Sequence, residues 1–191
     1  MISVSGESFK QTLGNYIKEA NRVKLRIFTK MPIFRFWNPG RLGGIMRYVM
    51  TTKPLNGKII MKKGEYSKYI YVILGGEAQL YDTIRIENKA KIINKLEKRK
   101  PYMEEERTIM KLGVGSSIGE ESGFNEKEGR SPFSVRISSN TSKILSIPKD
   151  ILISNITIAH ELDFIKKYSE KKMSELTKLS GMNPEAMPLS I

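Results

Sequence analysis

Apolar residues recur at helical spacing near the two ends of the chain and at strand spacing between them. Phe9, Leu13, Tyr16, Ile17, Ala20, Val23 and Ile27 fall three or four positions apart, which predicts an amphipathic helix over 8–28. Ser8 and Gln11 stand at capping-box spacing at its start. An aromatic connector, 31–37, follows with Pro32 near its beginning. A second short helix is expected from Asn38, with Pro39 in its first turn and Leu42, Ile45, Met46 and Val49 on one side. Gly43 and Gly44 weaken it, each costing about 1 kcal/mol relative to alanine.

From Lys53 the period shortens. Strands are predicted over 58–61, 69–74, 77–86, 108–112, 133–137 and 143–147. Gly75-Gly76 and Ser139-Asn140-Thr141 read as the turns of two hairpins. Residues 88–107 break the alternation with Lys, Arg and Glu. They read as a charged insertion between strands, with helical character at 92–96, a basic half over 89–100 and an acidic half at 104–106. Pro148 and Asp150 open a long helical stretch, from Ile151 to about Leu179, and the last residues lack periodicity. The expected organisation is an N-terminal helical segment (1–52), a β-roll (53–147) carrying the insertion at 88–107, C-terminal helices (148–180) and an extended tail (181–191). The fold class is therefore α+β. An antiparallel, jelly-roll-like β-roll of about eight strands is flanked by N-terminal helices and a long C-terminal hinge or lid helix.

Composition removes several functions from this frame. The 191 residues include no cysteine, which excludes disulfides, thiolate metal sites and thiol nucleophiles. His160 is the sole histidine, so a Ser-His triad or histidine metal site has little to draw on, and it reads as a packing or surface residue. No catalytic residues, metal ligands or cofactor are expected, and the chain reads as a non-enzyme. No apolar run approaches the ~20 residues of a membrane helix, and no signal peptide is evident, so a cytoplasmic location is expected. The net charge of +13 hints at an anionic partner. Basic residues are spread rather than clustered, so nucleic acid is not favoured. Phe34, Phe36 and Trp37 read as packing between helices and roll.

The stretch 113–135 carries the chemistry. A glycine-rich turn runs into a carboxylate, Glu120, and Arg130 follows ten residues later. A cyclic nucleotide presents a phosphate charge, a ribose hydroxyl and a flat purine. Arginine and backbone N–H groups at a helix start suit the phosphate, and a carboxylate accepts from the hydroxyl. Gly119 permits close backbone approach. On this reading Glu120 can accept the ribose hydroxyl, the amides of Glu121 and Ser122 can point into the site, and Arg130 can close on the phosphate.

The same residues carry a family resemblance. Lys62-Lys63-Gly64-Glu65 ends one strand, and 69–77 is an aromatic strand ending Gly75-Gly76-Glu77. Residues 112–120 run Leu-Gly-Val-Gly-Ser-Ser-Ile-Gly-Glu, and 130–135 run Arg-Ser-Pro-Phe-Ser-Val. In this order they resemble the cyclic-nucleotide-binding domains of kinases, gated channels and bacterial catabolite activators, with 112–135 as the phosphate-binding cassette. The resemblance covers about 31–164. It implies cAMP or cGMP as ligand, ribose binding by Glu120, phosphate binding by Arg130 and the Ser131 amide, and a tilt towards cGMP from the Ser131 hydroxyl. Phe164 and Tyr168 become candidates for a lid over the base.

The cassette also departs from the family pattern. Pro132 and Phe133 replace small residues, Ile118 replaces an aromatic, and Glu121, Glu126 and Glu128 add negative charge where an anion is expected. At ~4 Å and an effective dielectric of ~20, one such charge costs about 4 kcal/mol before screening. Two readings follow. One is a sensor or regulatory module that binds cAMP or cGMP and signals to a protein partner. The other is a ligand-free structural subunit that docks into a larger assembly, such as a cytoskeletal or ciliary one.

Overall fold

The computed structural model describes residues 6–87, 102–124 and 129–181. Helix α1 (Gly6–Phe28) leads through a 3-10 turn at Pro32–Phe34 into α2 (Pro39–Ile45). Asn38 caps α2 by accepting a hydrogen bond from the Arg41 amide. Eight strands follow among the described residues: β1 (Met50–Thr52), β2 (Ile59–Met61), β3 (Tyr69–Gly75), β4 (Ala78–Glu87), β5 (Tyr102–Leu112), β6 (Ser117–Ile118), β7 (Ser134–Ile137) and β8 (Lys143–Pro148). They form two antiparallel sheets, in the orders β1-β8-β3-β6 and β2-β7-β4-β5. Helices α3 (Lys149–Ser154) and α4 (Ala159–Ser180) complete the fold.

In the first sheet, β3 and β8 are packed on both faces, which explains their near-continuous apolar runs. Ile70 and Val72 of β3, with Leu145 and Ile147 of β8, face a core shared with Phe28, Phe34, Trp37, Leu42 and Ile165. Ile73 and Ile144 point the other way, into the roll, against Leu80, Ile118, Phe133 and Val135. The two-residue period thus sorts side chains between two cores. Helix α4 bridges them, with Ile165 in the first and Leu176 in the second.

Both expected hairpins are instead corners. Strands β3 and β4 lie in different sheets, as do β7 and β8, so each glycine- or serine-rich turn carries the chain across the roll. The two corners pack on each other. The Ser138 amide donates to Glu77 O and the Glu77 amide donates to Ser139 Oγ. Gly76 has φ +77°, and a β-carbon there would land on Ser139 Oγ and Thr141 O. Sequence alternation cannot distinguish a hairpin from a crossing between sheets, because both need a tight turn between two strands.

The acidic run also corrects the expected insertion. Glu104, Glu105 and Glu106 belong to β5, opposite Arg85, Ile84 and Thr83. They are exposed on an edge strand, where charge is tolerated and discourages further pairing. Arg136 holds Glu106 at 2.9 Å. The basic half, 89–100, lies outside the described residues, as do 182–191 of the expected tail. The C-terminal helical stretch is broken between Ser154 and Ala159. Ile156-Thr157-Ile158 is a β-branched run of low helix propensity, and Asn155 Nδ2 turns back to donate to Ile151 O.

Arg41 ties α2 to this break. Its guanidinium forks onto Glu161 at 2.5 and 2.9 Å, donates to Asn155 O, and lies 4.3 Å from the Trp37 ring. Trp37 and Phe34 are buried, and Phe36 meets His160 and Phe164 edge-on at the surface. Removing one partner of a buried fork leaves the other charge stranded. Arg41→Ala should therefore lower unfolding free energy by about 3 kcal/mol in denaturant titrations. Gly76→Ala should lower it by at least about 2 kcal/mol, because positive φ and the corner contact both oppose a side chain.

Candidate functional site

The cassette turn begins where β6 ends. Gly119 has φ +114°, and a β-carbon there would sit 2.5 Å from Tyr69 O of β3. Close packing on the neighbouring strand therefore requires this glycine, independently of any ligand. The chain then makes a 3-10 turn, Glu120–Ser122, whose three residues are all buried. Burying two consecutive carboxylates is costly unless each finds partners, and the structure supplies them from three directions.

Glu120 Oε1 accepts from Ser117 Oγ at 2.6 Å and from Lys172 Nζ of α4 at 2.8 Å. Its other oxygen, Oε2, is buried without a partner. Glu121 folds back so that both its oxygens lie 2.9 Å from the Gly119 amide. Lys172 Nζ also lies 3.9 Å from Glu121 and donates to Ser117 O. From α3, the fully buried Lys149 donates to Ser122 Oγ and Gly123 O, both at 2.7 Å, and lies over the rings of Tyr66 and Phe124. Ser122 Oγ in turn donates to Gly119 O. The turn, the start of α3 and the middle of α4 are thus joined by one set of charge-assisted hydrogen bonds.

A cavity of about 640 Å³ opens beside this cluster. Glu121, Ser122, Gly123, Phe124, Gly129 and Arg130 form its cassette wall. Ile153 of α3 and Leu162, Lys166, Ser169, Glu170 and Met173 of α4 form the other. The turn and Arg130 therefore face a common space, as the sequence reading requires. Arg130 itself is exposed.

Other expected site residues sit differently. Glu120 lies behind the cavity wall, held by Lys172. Ser131 is buried with both donors engaged: its amide donates to Glu65 O and its hydroxyl to Phe133 O at 2.6 Å. Phe164 and Tyr168 pack on the core shared with the N-terminal helices rather than on the cavity. The apolar side chains that α4 presents to the cavity are Leu162 and Met173. Glu126 and Glu128 lie outside the described residues. Lys149 and Lys172 escaped the sequence reading. A signal existed for Lys172, which stands one helical turn from both Tyr168 and Leu176, on the packed side of α4, where a lysine needs a buried acceptor.

Burial and the neighbouring Glu120 push the Glu121 carboxyl up to about 7, against the pull of Lys172 and the Gly119 amide. Burial lowers Lys149 to about 8, although Glu121 and Glu120 oppose this. Burial also works against the charge of Lys172, but the two carboxylates outweigh it and raise its pKa. The folded protein therefore retains a proton on Glu121 where the unfolded chain, near 4.5, has lost it, so this group's contribution to stability falls as pH rises from about 4.5 to about 7. The folded state sheds the Lys149 proton before the unfolded chain does, so stability rises with pH between about 8 and 10.5. Glu121→Gln should remove the fall in the acidic window and leave the rise in the alkaline one, as read by denaturant titrations across pH.

No protein-family model matches the chain, and no curated protein is significantly similar to it in sequence. Solved structures are similar in fold. The sensor domain of the transcriptional regulator DNR from Pseudomonas aeruginosa superposes with a TM-score of 0.59 at 11% identity, covering 88% of this chain and 99% of that one. The regulatory domain of Toxoplasma gondii protein kinase A with cAMP gives 0.59 at 14%, covering 86% and 55%. A regulatory subunit of a cAMP-independent protein kinase A from Trypanosoma cruzi, bound to guanosine, gives 0.57 at 10%, covering 93% and 55%. The chain spans about half the length of these two kinase chains. Two four-stranded antiparallel sheets, the buried 3-10 turn after β6 and the helix laid across it together give this chain the fold of a cyclic-nucleotide-binding domain.

Proposed function

We propose that the chain is a non-catalytic sensor or regulatory domain whose cavity binds a purine riboside, either a cyclic nucleotide or its parent nucleoside. The observation that carries this reading is the placement of Arg130, Glu121 and Ser122 on one wall of a cavity whose opposite wall is α4. Its volume lies within the ~300–1,000 Å³ usual for small-molecule sites. Leu162, Met173 and Phe124 offer apolar surface for a base, and Ser122, Ser169 and Glu170 offer hydrogen-bond partners for ribose hydroxyls. Fold neighbours carrying cAMP and guanosine support the ligand class.

Signalling follows from what the ligand must disturb. Hydroxyls that reach Ser122 and Gly123 compete with Lys149 for the same oxygens, so occupancy shifts α3, and the α4 wall that follows it, relative to the roll. A protein partner reading the position of α4 completes the output, and the net charge of +13 favours an acidic one. No described helix is long and apolar enough to cross a membrane.

Calorimetric titration with cAMP, cGMP, adenosine and guanosine tests the reading. Saturable binding of at least one is expected, and Leu162→Trp, which puts an indole into the cavity, should weaken it while leaving the far-ultraviolet circular dichroism unchanged. Arg130→Ala should abolish any cyclic-nucleotide binding. No saturable binding of any of the four at millimolar concentration would refute the proposal.

A further inference from the structure

The fold uses some of its cations near the cavity and leaves others over. The buried ones are committed: Lys172 lies on Glu120 and near Glu121, and Lys149 donates to Ser122 Oγ and Gly123 O. Lys166 and Arg130 differ. Both are exposed and both line the cavity, Lys166 from α4 and Arg130 from the cassette wall opposite. The remaining ion pairs of α4 join Glu161 to Arg41 and Lys171 to Glu175, and no ion pair among the described residues includes Lys166 or Arg130.

Two carboxylates border the same space. The Glu121 side chain is fully buried on the Gly119 amide, so its charge is not presented to the open part of the cavity. Glu170 is exposed one helical turn beyond Lys166 and is not paired with it. Lysine before glutamate is also the weaker order for such a pair. The cavity thus presents two exposed cations against one exposed anion, a surplus that suits a ligand carrying one negative charge. Leu162, Lys166, Ser169 and Met173 fall at three- or four-residue spacing on one stripe of α4, so Lys166 shares the stripe that offers apolar surface to a base.

We infer that the cavity prefers a cyclic nucleotide to its parent nucleoside, and that Lys166 of α4 is the specificity-determining residue, its ammonium meeting the ligand phosphate from the wall opposite Arg130. The inference rests on the reading of the cavity as a purine-riboside site. Arg130 is the phosphate partner that the cassette sequence implies, and Lys166 adds a second from a separate element. Lysine carries a compact charge on a flexible stem, so its ammonium reaches an anion without needing the fixed geometry of a guanidinium. A charged ligand therefore draws α4 towards the cassette, whereas an uncharged one engages neither cation as an ion pair.

The experiment measures the affinities of cGMP, cAMP, guanosine and adenosine for the wild-type chain and for Lys166→Gln, Lys166→Arg and Lys167→Gln. Lys167 is the control: it is exposed on the same helix but does not line the cavity. In the wild type, the better cyclic nucleotide should bind at least about tenfold tighter than its nucleoside, the scale of one charge-assisted hydrogen bond. Lys166→Gln should weaken the cyclic nucleotide by about tenfold and leave the nucleoside unmoved, Lys166→Arg should largely restore the difference, and Lys167→Gln should change neither. All three changes fall at an exposed helix position and exchange good helix formers, so the fold should persist. A wild type that binds the nucleoside as tightly as its cyclic nucleotide would overturn the inference and leave the proposed function standing. A preference that survives in Lys166→Gln, or that Lys167→Gln weakens equally, would remove Lys166 from the explanation. Failure of all four ligands to bind would sink the proposed function, and the inference with it.

Discussion

Two glutamates and two lysines held out of water at one place organise this molecule. Glu120 and Glu121 sit on a turn at the end of β6, Lys149 opens α3, and Lys172 comes from the middle of α4. None of the four is tolerable alone in such surroundings, because an isolated buried charge costs several kcal/mol. Together with Ser117, Ser122 and the Gly119 amide they form a nearly closed set of hydrogen bonds, with one carboxylate oxygen left over. The position of α4 over the roll is thereby a polar, directional matter as well as a packing one. Its apolar contacts, Ile165 in one core and Leu176 in the other, fix the helix at both ends of this cluster.

Such a joint is suited to switching. Apolar surfaces slide at little cost, whereas charge-assisted hydrogen bonds exchange one partner for another in discrete steps. In the proposed function, a ligand hydroxyl that replaces Lys149 on Ser122 or Gly123 releases a cation at the start of α3. The Arg41–Glu161 fork holds the first turn of α4 to the N-terminal segment.

Much of the fold was legible from period alone. The runs 69–74 and 143–147 announced buried strands because these two strands are packed on both faces. The pair Asn38-Pro39 marked a helix start that the structure places there. The hairpins were misread because Gly76 and Ser139 serve equally well in a corner between sheets, and pairing partners are a property of the tertiary fold. Two very short strands, β1 and β6, carry too few residues to show a period. At the site, Glu121, Ser122 and Arg130 were recognisable from order and spacing, and they share a wall, whereas Gly119, equally recognisable, packs on β3. The commitments of the Ser131 donors, and the lysines that occupy the carboxylates, were not recognisable. Both depend on which segments meet after the chain has crossed the roll, and one lysine in a lysine-rich chain carries no mark of burial beyond its helical phase.

The central claim is that the 120–122 turn and α4 form one ligand-responsive unit. Hydrogen exchange of the full chain, with and without saturating nucleoside, addresses it most directly. The account predicts that amides of the turn and of α4 around Lys172 change protection together, while the sheet β2-β7-β4-β5 is unaffected. Ligand binding that leaves both segments unchanged, or that alters protection only elsewhere in the roll, would contradict it.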